Sequence, residues 1–147
     1  MTKLAKEMVH QNIKQLEDAL NVLEAASSLK LTEDGIRLLA AMQQSAIEIG
    51  NRIESVEGSH PVIAELEKLC EVYYQCSLRI DSGESIEQEC CTIKKHIAEI
   101  TKMIEETIPV KKEILFLPYQ VSMWDSLESI WMAAKEDPDT ECYVVPL

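Results

Sequence analysis

Aromatic residues are scarce in this sequence, at 5% of 147 residues. β-Sandwich strands draw heavily on aromatic and β-branched side chains, so the scarcity argues against an all-β fold. Basic residues are also short. Fourteen Lys and Arg stand against 26 Asp and Glu, a formal net charge of −12. Nucleic acid is then an unsuitable partner, because most of that affinity comes from cations neutralising phosphates. An anionic membrane surface is excluded on the same ground. No apolar run is long enough to span a bilayer, so no membrane insertion is expected. The N-terminus enters a charged helical pattern at once, without the apolar stretch of a signal peptide, and a cytoplasmic location is expected. The five cysteines (Cys70, Cys76, Cys90, Cys91 and Cys142) are odd in number and contain no C-x-x-C. Neither a disulfide framework nor a zinc site is expected from them, and free thiols are.

What is abundant is aliphatic. Apolar residues make up 46% of the chain, enough for a real core. Their spacing is helical. Leu4, Met8, Val9, Ile13, Leu16, Leu20 and Leu23 lie on one face of a first helix that ends near Ser27 and Ser28. Thr32 is placed to N-cap a second helix, with Glu33 and Asp34 in its first turn and a Leu31–Ile36 staple. Its stripe runs through Leu39, Met42, Ala46, Ile49, Ile53 and Val56 to a C-terminal Gly58. Pro61 opens a third helix, with Val62, Leu66, Leu69, Val72, Tyr73 and Leu78 on its stripe. Ser85 and Gln88 have capping-box spacing before a fourth, marked by Ile86, Cys90, Ile93, Ile97, Ile100, Ile104 and Ile108. Short links make antiparallel neighbours the default, so an up-down bundle is expected over residues 1–109.

The pattern changes after Pro109. Residues 113–117 are almost wholly apolar, as in a strand covered on both faces. Ser122 and Asp125 are placed to cap a following helix whose buried face is Trp124, Leu127, Ile130, Trp131 and Ala134. Residues 143–145 form a second short apolar run. Strand, helix and strand at this spacing predict one right-handed β-α-β unit over residues 110–147. The composition shifts too, with one Lys/Arg against seven Asp/Glu in residues 113–147. The fold class expected is therefore mainly α: a bundle of about four helices, then a β-α-β unit that starts a Rossmann-like domain.

Three histidines, His10, His60 and His96, are far apart in sequence. With no Ser or Cys partner to make a triad, they read as surface or capping residues. Tyr73 and Tyr74 place one ring inward and one outward. The link from the first strand to the last helix carries Tyr119, Gln120, Ser122 and Asp125. Ligands bind at such strand ends in open α/β sheets, and helix N-termini suit anions. Yet the link has no Gly-rich loop and Asp125 would oppose an anion. The simpler reading is capping by Ser122 and Asp125 with Trp124 packed beneath.

Residues 116–131 (FLPYQVSMWDSLESIW), then Asp137, Pro138 and residues 143–146 (YVVP), resemble a segment of bacterial CDP-glycerol glycerophosphotransferase-like proteins, the teichoic-acid-type polymer synthases. Residues 43–50 and 66–75 are similar, more loosely, to the helical region that precedes it in some members. The resemblance implies the start of a two-domain GT-B transferase behind a helical accessory domain, in a family peripheral to the inner membrane face. Gln120 stands where the family pattern has a lysine. No position matches the family's nucleotide-binding or catalytic histidine motifs. No catalytic, cofactor-binding or metal-binding residue is carried over, and the chain is not expected to be an enzyme alone. It ends at Leu147 where the family continues, so a fragment is expected. A self-associating scaffold, completing its sheet with a second copy, is the alternative. A small-molecule sensor in the bundle core would need convergent polar residues that the pattern does not supply.

Overall fold

A computed structural model describes the backbone of residues 1–116 and 121–144, and the side chains of residues 1–112 and 128–142. It is mainly helical. The elements are α1 (Lys3–Ser28), α2 (Thr32–Glu57), α3 (Pro61–Asp81), α4 (Glu87–Thr107), β1 (Lys112–Phe116), α5 (Val121–Glu136) and β2 (Thr140–Val144). The chain divides into two compact units. One is Glu7–Ile108, and the other joins Met1–Lys6 to Pro109–Leu147.

In the larger unit each helix buries side chains in alternating steps of four and three. The buried sets are Val9, Ile13, Leu16, Leu20 and Leu23 in α1, and Leu39, Met42, Ala46, Ile49 and Ile53 in α2. α3 contributes Val62, Leu66, Leu69, Tyr73 and Cys76; Cys90, Ile93, Ile97, Ile100 and Ile104 come from α4. A repeat averaging 3.5 residues keeps the apolar seam facing its neighbours along the whole helix, as in coiled-coil-like packing. Each buried aliphatic side chain is worth roughly 2 kcal/mol relative to exposure. Leu4, Met8, Val56 and Leu78, expected on the seams, are instead 68, 38, 50 and 46% exposed. Leu78 falls off the four-three alternation, which Cys76 continues. Met8 turns outward beside Val9, where its Sδ accepts from Arg52 Nη1 at 3.5 Å.

Contacts between helices fix their order. Met8 near the start of α1 meets Arg52 near the end of α2. The Cys70 thiol of α3 reaches the Gln43 carbonyl of α2 at 3.9 Å. Arg79 Nε, late in α3, sits 2.7 Å from Glu89 Oε1, early in α4. α4 returns to α1 through Lys94–Glu24 at 2.8 Å and His10–Glu105 at 2.5 Å. Every helix thus runs antiparallel to its neighbours, in a bundle-like arrangement closed by α1 beside α4. These partly exposed ion pairs orient the helices and add little stability.

Two expected caps are not formed. Thr32 is already helical; Leu31 holds the N-cap position without a side-chain bond, and its carbonyl accepts from Gly35 N at 3.0 Å. The turn ending α1 uses residues 26–31 for its own hydrogen bonds, which pushes the start of α2 onto Leu31. α4 begins at Glu87 with Ile86 at its N-cap and no side-chain cap bond. Ile86 is 2% exposed, and its burial sets the boundary one residue beyond Ser85. Ser85 Oγ only accepts from Glu87 N at 3.4 Å. Pro61 and Gly58 stand where expected, the latter at φ 70° as the C-cap of α2.

In the smaller unit β1 and β2 pair in parallel, from Lys112 opposite Thr140 to Phe116 opposite Val144. β2 starts before the apolar run because the Asp137 carboxylate folds the turn ahead of it. That carboxylate accepts from Asp139 N and Thr140 Oγ1, both at 2.9 Å. The amino terminus belongs here too: Lys111 N donates to Met1 O at 2.8 Å, and Thr2 bridges Lys111 in parallel. α5 begins at Val121, which places the backbone of Ser122 in its first turn. Ile130, expected to be buried, is 55% exposed. Among the described residues no helix is long and apolar enough to cross a membrane.

Candidate binding cleft

Both hairpins of the bundle, α1–α2 and α3–α4, turn at the same end. Leu31 N donates to Ala26 O and Lys30 N to Ser27 O, the paired bonds of a Schellman motif. The second turn repeats it, with Glu84 N bonded to Arg79 O and Gly83 N to Ile80 O. The motif needs a left-handed residue at its fifth position. Gly83 supplies it at φ 75°, and Lys30 supplies it at φ 56°. A lysine there carries a steric cost of about 1 kcal/mol that glycine avoids.

Between the two turns lies a cleft of about 930 Å³. Its floor includes Gly35, Ile80, Ile86 and Cys90, and its rim includes Glu24, Lys30, Leu31, Glu84, Glu87 and Cys91. Gly35 makes the floor possible. A Cβ there would stand 3.3 Å from Ile80 Cδ1, tighter than ordinary contact, so a larger residue at Gly35 would require the Ile80 side chain to shift. The rim charges are partly organised: Glu24 holds Lys94, and Glu84 lies 3.3 Å from Arg79. Cys91 is exposed, whereas Cys76 and Cys90 are buried. Burial pushes the Cys76 thiol up to about 12 and the Cys90 thiol up to about 11, which keeps both protonated and unreactive at neutral pH. The cleft therefore offers an apolar floor, mixed charge and one accessible thiol.

Tyr119 and Gln120 lie outside the described residues, as do the side chains of Ser122 and Asp125. The histidines make a different pattern from the one sequence spacing suggests. All three tie α4 to a neighbouring helix. His10 meets Glu105, His96 Nδ1 stands 3.7 Å from Glu65 Oε2, and His60 Nε2 stands 3.0 Å from Thr107 Oγ1. Lys68 first, and His96 after it, hold the Glu65 carboxyl below its usual range. His60 also N-caps α3, its Nδ1 accepting from Val62 N at 3.1 Å. Thr107 Oγ1 donates to Met103 O, so His60 Nε2 is the donor to Thr107 and the imidazole is the Nε2–H tautomer. Among the described residues no three His, Cys, Asp or Glu converge in a way that could hold a metal ion.

No family model, curated protein or solved structure matches the chain.

Proposed function

We propose that this chain is a non-catalytic helical accessory module followed by the opening β-α-β of a Rossmann-like domain, as in CDP-glycerol glycerophosphotransferase-like proteins. The observation that carries the reading is the parallel pairing of β1 with β2 across the intervening α5. Parallel neighbours need a crossover, and a helix is its usual form. The wording of residues 116–131 supplies the choice of family. On this reading the bundle supports the transferase and the small unit begins its acceptor-side domain. Complementation tests it. A related glycerophosphotransferase lacking the corresponding N-terminal segment should regain polymer formation from CDP-glycerol when this chain is added. This chain alone should give no turnover. Failure to restore activity, or turnover by the chain alone, would sink the reading.

A second reading is favoured by the exposure of Ile130 and Met132, at 55 and 50%. Here the chain is a self-associating scaffold without enzymatic activity, and the small unit extends its sheet and covers α5 with a second copy. A two-stranded sheet is marginal by itself, which gives the pairing its driving force. Ile130→Glu with Met132→Glu should then lower the molar mass in solution. An unchanged mass would remove the support for this surface.

A further inference from the structure

We propose that the two hairpin turns of the bundle form a self-complementary docking surface by which two copies of this chain associate end to end. The argument begins with Lys30. It occupies the left-handed position of a Schellman turn at φ 56°, while the matching position of the other turn is filled by Gly83. A side chain held on a strained backbone conformation points to a use for that side chain. Its two neighbours are also out of place for a loop, since Leu29 is 71% and Leu31 45% exposed. The tip is thus a lysine between two outward leucines. Beside it lies the cleft, with an apolar floor and with Glu84 and Glu87 on the opposite turn. Lys30 and Leu31 themselves belong to the rim, so knob and hollow share one face of one unit, with the lysine on one turn and Glu84, 3.3 Å from Arg79, and Glu87 on the other.

A surface holding both halves of a complementary pair is suited to two-fold association, in which each copy gives its knob and receives the other's. Leu29 and Leu31 of one chain would enter the cleft of the second, and Lys30 would face the second chain's Glu84 and Glu87. The occupant is a second copy, because the carboxylates that the Leu-Lys-Leu tip requires, Glu84 and Glu87, stand on this same chain on the turn opposite Lys30. The inference does not depend on the transferase reading, and it uses a different surface from the sheet and α5.

Sedimentation equilibrium of the full chain tests it, at low salt and again at high salt. The expected result is a dimer that weakens as salt screens the charges. Lys30→Glu should be monomeric, and so should Glu84→Lys with Glu87→Lys. Mixed in equal amounts, these two variants should recover the dimer, since each contact then pairs opposite charges. Lys30→Gly controls for folding: it should melt higher than the parent yet bind its copy at least tenfold more weakly. A monomeric parent at every concentration, an unaffected Lys30→Glu dimer, or no recovery on mixing would each overturn the proposal. So would dissociation by Ile130→Glu with Met132→Glu alone, which would assign the association to the C-terminal unit.

Discussion

Tyr73 is 1% exposed, and its hydroxyl has no hydrogen-bond partner among the described residues. A buried, unsatisfied polar group costs about 1 to 3 kcal/mol. Tyr73→Phe removes that group and keeps the ring, so it should raise stability by about 1 kcal/mol or more, read from the urea midpoint. A loss of stability would mean the hydroxyl is satisfied in solution. The buried thiols predict a pH effect of definite sign. In the unfolded chain Cys76 and Cys90 release protons near 9, whereas the folded chain holds them to about 12 and about 11. Above pH 9 the native state therefore binds more protons than the unfolded state, and stability falls as pH climbs from 9 toward 11. Below pH 8 these two groups contribute no slope. Denaturant midpoints against pH should show the alkaline fall, and a Cys76→Ala, Cys90→Ala chain should show a shallower one.

Among the elements, the glycines and the caps divide into those a side chain improves and those it damages. Gly50 is buried in the interior of α2, and an added Cβ would meet only Leu66 Cδ1, at an ordinary 3.7 Å. Gly50→Ala should stabilise by roughly 1 kcal/mol through helix propensity. Gly58 sits in open space at φ 70°, so Gly58→Ala should destabilise by a similar amount, about 1 kcal/mol, through backbone strain alone. Melting the two side by side checks the contrast. His60→Ala should lose about 1 kcal/mol of cap energy, which His60→Asn should largely retain.

The four long helices are legible in the sequence because each seam repeats without a break, and the outward turn of Tyr74 beside a buried Tyr73 follows from the same period. The caps are less legible. Thr32 and Ser85 have the right chemistry, but the hydrogen bonds of the preceding turn and the burial of Ile86 decide where the helices begin. The cleft has no sequence signature, since it is built from two turns more than 50 residues apart; the one local hint is a lysine between leucines where a glycine would end the helix. Of the expected ligand loop, Tyr119 and Gln120 lie outside the described residues, so the structure bears on neither.

At the scale of the molecule, the two units differ in what holds them. The larger has long, regularly spaced apolar seams on four helices. The smaller rests on a two-stranded parallel sheet, an architecture that needs cover on both faces to be stable. Its turn depends on one exposed carboxylate, Asp137, whose acid form is disfavoured first by the Asp139 N–H and then by the Thr140 hydroxyl. The Asp137 carboxyl therefore titrates lower when folded than when unfolded. Its contribution is present at neutral pH and is lost as pH falls through the folded value. Regions with few buried contacts open without global unfolding. Amides of β2 should accordingly exchange through an opening that depends little on added urea. Those of α4 between Ile93 and Ile104 should exchange only through the urea-sensitive unfolding of the bundle. Asp137→Ala should speed the first class several-fold and leave the second unchanged. If the substitution speeds both classes equally, the two units unfold as one, and the small unit owes its stability to the bundle rather than to its own turn and sheet.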